Sequence, residues 1–185
     1  LLYRFDDALK GFRQVRAFSQ EHGLKVFAAQ SEYNRGYLLF LIGNYSEALK
    51  IMQAAEGEFR ELGDEIHVAH CRSDSAEILL ALNLPEHAIE LATMAEKGFR
   101  AAGVTVDRSR VLLLLGRCLI RMGQTAEASV HYTIARDLFR ADGNSLWASM
   151  AELGIASALM ASGRLREAAD LAVQAGEFFR SQNHL

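Results

Sequence analysis

The sequence predicts an all-α fold of stacked antiparallel helix pairs, about nine helices in all. Two observations carry that prediction. One amphipathic face recurs every forty residues: Ala48, Met52, Ala55, Phe59; Ala88, Ala92, Ala95, Phe99; Ala128, Tyr132, Ala135, Phe139; and Ala168, Ala172, Ala175, Phe179. Offsets of 0, 4, 7 and 11 lie on one side of a helix. An arginine follows each phenylalanine, as Arg60, Arg100, Arg140 and Arg180. The second observation is compositional. Half of the 185 residues are apolar and there is one proline, Pro85, so long helices run without breakers between turns marked by Gly and Asn.

In chain order, residues 1–23 carry the helix pattern once, without a partner. Ala8, Phe12 and Val15 lie forty residues before Ala48, Met52 and Ala55. The match fails at the fourth position, where Ser19 replaces the phenylalanine and Phe18 lies one step aside. Asp6 and Asp7 favour a helix start, because carboxylates offset its unpaired N–H groups, and Gly23 ends the helix. Four full repeats follow, at 24–63, 64–103, 104–143 and 144–185. The first helix of each holds a small residue three before a leucine: Gly36 and Leu39, Ala76 and Leu79, Gly116 and Leu119, Ala156 and Leu159. That pairing suggests close helix approach at one point and a filled hole at the next. Turns follow at Gly43-Asn44, Asn83-Leu84-Pro85, Gly123-Gln124 and Gly163-Arg164. The second helix opens with Glu47, His87, Glu127 or Glu167 in its first turn and ends near Gly63, Gly103, Gly143 or Asn183, residues that accept the left-handed cap. The repeated arginine falls in the last turn, where a cation gains about 0.3–1 kcal/mol from the helix dipole. A single helix pair cannot bury its apolar face, so the repeats are expected to stack into one domain.

These motifs together resemble the tetratricopeptide repeat. Tyr33-Asn34-Arg35-Gly36, Leu39, Gly43-Asn44-Tyr45 and Glu47-Ala48, continued by Ala55, follow the family pattern closely. Leu115-Gly116, Leu119, Gly123, Glu127-Ala128 and Ala135 do so next most clearly. The usual repeat is about 34 residues. The forty-residue form is similar to that of bacterial signalling regulators and kinesin light chain-like adaptors. Arg35 and Ser75 stand where the family carries an apolar residue, and the family's late proline is absent. The resemblance implies a right-handed α-solenoid, a TPR superhelix. It also implies a protein–protein interaction scaffold that holds a peptide, a helix or a neighbouring domain on its concave face. A regulatory sensor domain for a small ligand or short signalling peptide is the alternative.

In this family the first helix of each pair lines the concave face. Carried over by position, that gives Tyr33, Tyr37 and Phe40; His70, Ser73, Asp74 and Glu77; Arg110, Leu113, Arg117 and Arg121; and Met150, Leu153, Ser157 and Met160, with Trp147 near the start of the last first helix. Arg110, Arg117 and Arg121 form one stripe at offsets 0, 7 and 11. Guanidinium groups grip carboxylates bidentately, which points to a partner with acidic groups. The same stripe also reads as a solvated face paired with Asp74 and Glu77. Tyr33 and Tyr37 suit an aromatic anchor.

Other chemistry is not expected. His67, His70 and Cys71 fall within one helical turn and His131 is remote, whereas zinc needs about four ligands, usually from separated pairs. No phosphate loop or nucleophile motif occurs. No metal, cofactor or catalytic residue is expected, and the chain is read as not an enzyme. A net charge of −3 argues against bulk binding to nucleic acid or anionic membrane. Two cysteines, Cys71 and Cys118, are too few for a disulfide scaffold and fit reduced, buried thiols in a cytoplasmic protein. The chain starts at Leu1 rather than Met and reads as a piece of something longer. The last helix carries Leu171, Val173, Phe178 and Phe179 with no polar capping helix after it. Self-association through a terminal helix is therefore expected unless more chain covers that edge.

Overall fold

The structure is a computed structural model that describes residues 4–182. Nine helices are present among the described residues: α1 (Phe5–Glu21), α2 (Lys25–Leu41), α3 (Tyr45–Glu61), α4 (Glu65–Ala81), α5 (Pro85–Ala101), α6 (Thr105–Arg121), α7 (Thr125–Ala141), α8 (Ser145–Ala161) and α9 (Leu165–Gln182). The first eight have 17 residues each. The geometric period is therefore twenty residues, half the interval at which side chains repeat.

The reason lies in the turns. Gly23, Gly43, Gly63, Gly103, Gly123, Gly143 and Gly163 all have φ between 69° and 82°, and Asn83 takes the same role at 59°. Only Gly, and at some cost Asn, enters this region readily. After α2 the Asn44 N–H donates to the Leu39 carbonyl (2.9 Å) and the Gly43 N–H to the Phe40 carbonyl (3.0 Å). This Schellman closure satisfies carbonyls that the helix end leaves open. The same six-residue closure recurs after α1, α3, α5, α6, α7 and α8. Pro85 sits at the first position of α5, where its missing N–H costs nothing. The predicted cap at Asn183 lies outside the described residues.

The chain divides into two compact units at Asn83–Leu84. In the first, α1 packs on α2, α2 on α3 and α3 on α4, and α2 also touches α4. One cluster joins Leu39, Ala48, Met52 and Ile78 with Leu9. Another surrounds Phe59 with Ala29, Ala55, Val68 and Cys71. In the second unit α5 through α9 pack in sequence, and α6 also touches α8. Its centre joins Leu119, Ala128, Tyr132 and Ile155. Phe59, Phe99 and Phe139 are 0–1% exposed, each side chain contributing about 1.5–3 kcal/mol by burial. Phe179 differs. It is half-buried and Ala172 is exposed, because no described helix covers that side of α9.

The predicted close approach is present. At Gly36 an added Cβ would stand 2.9 Å from Ile51. At Gly116 it would stand 2.5 Å from Tyr132, and at Gly154 of α8 2.6 Å from the same ring. The Tyr132 ring is thus sandwiched between two glycines of different helices.

Charge pairs stitch each second helix to the following first helix. Arg16 meets Glu32 at 3.5 Å, and forty residues on Glu56 meets Arg72 at 2.9 Å with the signs exchanged. Glu96 pairs with Arg108 at 2.7 Å, and Arg140 pairs with Glu152. The repeated arginines are therefore more than dipole caps. Arg60 and Arg100 reach back one turn to Glu56 and Glu96, while Arg140 crosses to the next helix. Arg35, at the apolar position of the family, is half-buried against Glu32 at 2.5 Å, and Ser75 is buried.

Candidate functional site

The predicted partner-binding residues fall into one group in each unit. In the first unit Tyr33 and Tyr37 lie on α2, and His70, Asp74 and Glu77 on α4. The structure brings Tyr33 and Asp74 together: the phenol donates to the Asp74 carboxylate at 2.6 Å. Burial, then the nearby Asp74 charge, drives the Tyr33 pKa above its ordinary range. Tyr33 also meets Phe59 edge-on at 6.5 Å and packs against both core clusters of its unit. It is a half-buried strut between two first helices. Tyr37 is more open, at 38% exposure, and stands edge-on to Phe40 at 6.1 Å. Phe40 packs against the core, so Tyr37 is the member of that trio that presents a ring to solvent.

His70, Asp74 and Glu77 are all half-buried. The Asp64 carboxylate caps α4 by accepting from the His67 backbone N–H at 3.0 Å, and it also holds the His67 ring at 2.7 Å. That ring stacks on Phe59 at 4.6 Å and lies 6.0 Å from His70. Cys71 is fully buried, and burial pushes its thiol up to about 12. No group of three or more His, Cys, Asp or Glu side chains among the described residues is arranged to hold a metal ion. His131 keeps its Nδ1 buried with no hydrogen-bond partner among the described residues, and desolvation lowers its pKa.

In the second unit Arg110, Arg117 and Arg121 are exposed along α6. Arg110 lies over the Trp147 ring, 5.3 Å from its centroid, and is 4.0 Å from Asp107. Trp147 in turn stacks on Phe139 at 5.8 Å, and its backbone N–H donates to the Asn144 side-chain oxygen at 3.3 Å. Core ring, half-buried indole and exposed guanidinium thus form one column, which fixes Arg110 at the surface. Met150 and Met160 of α8 are exposed as well. Guanidinium groups on α6 offer charge-assisted hydrogen bonds, and the α8 thioethers offer adaptable apolar contact.

Sequence reasoning missed two pairings here, Tyr33 with Asp74 and Arg110 with Trp147. They lie 41 and 37 residues apart, close to one repeat, which is the signal that contact between successive first helices would have supplied.

No family model matches the chain, and no curated protein matches it. Solved structures do. BtubC (BKLC) from P. vanneervenii is similar over 95% of this chain and 76% of its own length, at 17% identity and a TM-score of 0.80. A putative kinesin light chain from Podosopora anserina, with nearly identical TPR-like repeats, is similar over 98% of this chain and 90% of its own, at 16% identity and a TM-score of 0.80. A Rap protein complexed with Competence and Sporulation Factor is similar over 95% of this chain and 54% of its own, at 18% identity and a TM-score of 0.72. Together with the positive-φ turns and the buried stripes, these likenesses give the fold: the chain is an all-α helical repeat of the tetratricopeptide type.

Proposed function

We propose that the chain is a protein-interaction scaffold whose first helices, α2 and α4 in the first unit and α6 and α8 in the second, each serve to hold a peptide, a helix or a neighbouring domain with acidic groups. The observation that carries this reading is the exposed cationic stripe of α6, anchored at one end by the Trp147–Arg110 column. Such a surface recognises carboxylates bidentately and offers an aromatic flank. The scaffold reading assigns no chemistry to these residues and no metal or cofactor. Its buried free thiols, Cys71 and Cys118, fit a cytoplasmic home. Self-association through α9, where Ala172 is exposed and Phe179 half-buried, belongs to the same proposal.

The test is a Glu-rich decapeptide titrated by fluorescence anisotropy. Arg117→Glu with Arg121→Glu is expected to weaken binding by at least about ten-fold, roughly 1.4 kcal/mol, while far-UV circular dichroism stays unchanged. Equal binding by the variant removes the stripe from the site.

A regulatory sensor for a small ligand or short signalling peptide is the second reading. It is favoured by the Rap neighbour, whose structure holds Competence and Sporulation Factor.

A further inference from the structure

In the full repeats, one position beside the buried stripe of the second helix is apolar in three cases and titratable in the fourth. It is Ile51 in α3, Leu91 in α5 and Leu171 in α9, but His131 in α7. Ile51 shows what the position does. It is 4% exposed and closes on Gly36 of the preceding helix, where an added Cβ would lie 2.9 Å away. His131 is half-buried at the equivalent place.

The His131 Nδ1 is buried and makes no hydrogen bond among the described residues. A neutral imidazole carries one N–H and can leave its other nitrogen bare, so the neutral ring fits such a position. The imidazolium carries an N–H on both nitrogens, and both need acceptors. A buried donor without an acceptor is costly, and so is a charge drawn into an apolar place.

The charges around the ring do not remove that cost. Glu127 lies one turn earlier on α7 and Glu96 lies on α5; both favour the proton, but burial opposes it more strongly and holds the His131 pKa below its ordinary 6.5. Glu96 is already engaged, since the Arg108 guanidinium of α6 donates to it at 2.7 Å and Arg100 stands 3.9 Å away. Elsewhere on α6, Arg110 lies over Trp147 near Asp107, the Arg117 charge acts on the Tyr132 phenol, and Arg121 is exposed. The charged residue of α8, Glu152, pairs with Arg140.

We propose that His131 makes the packing of α7 acid-sensitive: the neutral ring seats in an apolar position, and the imidazolium, with a second N–H and no acceptor for it, loosens α7 and weakens the second unit. This inference does not rest on the scaffold reading. The folded pKa lies below the unfolded one, so the stability is complete above pH 6.5 and is lost as the pH falls below it.

Trp147, the one tryptophan of the chain, stacks on Phe139 of α7, so its fluorescence follows this unit during urea unfolding. Between about pH 7.5 and about pH 5.5, the unfolding equilibrium constant of the 185-residue chain is expected to rise about three-fold more in the wild type than in His131→Leu. That variant imports the residue found at positions 91 and 171. His131→Gln keeps a polar side chain that does not titrate, and it is expected to match the Leu variant. The other five histidines are common to all three proteins and cancel in the comparison. In a ring-proton NMR titration the His131 signal is identified by its absence from the Leu variant, and its midpoint is expected below 6.5. Equal pH dependence in the wild type and both variants overturns the proposal, and so does a His131 midpoint at or above 6.5.

Discussion

The Tyr132 sandwich offers the sharpest test of how the repeats lock together. A methyl group added at Gly116 would lie 2.5, 2.6 and 2.9 Å from three atoms of the Tyr132 ring. Carbon atoms in contact normally keep about 3.5–4.0 Å, so the ring would have to retreat by about 1 Å. It has nowhere to go, since on its other face a Cβ at Gly154 would already be within 2.6 Å. Overpacking of this kind costs about 1–3 kcal/mol. Against it stands the helix preference of Ala over Gly, about 1 kcal/mol. Gly116→Ala is therefore expected to lose up to about 2 kcal/mol. In a Tyr132→Ala background the obstacle is gone, and the same substitution is expected to gain about 1 kcal/mol. The chain already uses that combination, with Ala76 and Ala92 at the equivalent positions, both fully buried. Urea unfolding of the four proteins, followed by circular dichroism with m-values compared, measures the cycle. Equal effects of Gly116→Ala in the two backgrounds would refute the reasoning, and so would a gain in the wild-type background.

Three further outcomes follow from buried groups. Burial pushes Cys71 from its ordinary 9.0, and Tyr132 from 10.0, each to about 12, and Tyr33 is also raised. Because the folded values exceed the unfolded ones, this stability is complete below pH 9.0 and is lost as pH rises toward 12, where the unfolded chain releases protons first. The urea midpoint should decline above pH 9.0, and Cys71→Ala should remove the earliest part of that decline. Both thiols are fully buried, so a thiol reagent such as DTNB should leave Cys71 and Cys118 unmodified in the native protein and label both in urea. Tyr33→Phe removes a hydrogen bond to a carboxylate and should cost about 1.5–3 kcal/mol in chemical denaturation, with helix content unchanged.

Much of the fold is legible along the chain because it is local. A glycine every twenty residues, replaced once by Asn83, dictates where each helix stops, since φ near +70° excludes nearly every other side chain. The Ala-x3-large-x2-Ala-x3-Phe stripe names the buried face before any partner is known. Of the candidate site, the sequence gives positions and exposure but not contacts. Tyr37 presents its ring, and Arg110, Arg117 and Arg121 are exposed on one helix. Tyr33 suits an aromatic anchor by its position, and the bond from its phenol to Asp74 is not visible in the spacing. Periodicity tells which side of a helix a residue lies on, but not how far a long side chain reaches toward the next first helix.

By itself the sequence determined the helices, their caps, the repeat and the residues that must leave water, all of which follow from spacing and backbone sterics. Tertiary structure alone decided which side chains meet: Tyr132 between Gly116 and Gly154, Arg110 over Trp147, and Arg16 on Glu32 and Glu58. The physical reason is distance. These contacts join helices whose separation and tilt are set by the volumes of many side chains packed together, a quantity that no single stretch of chain contains.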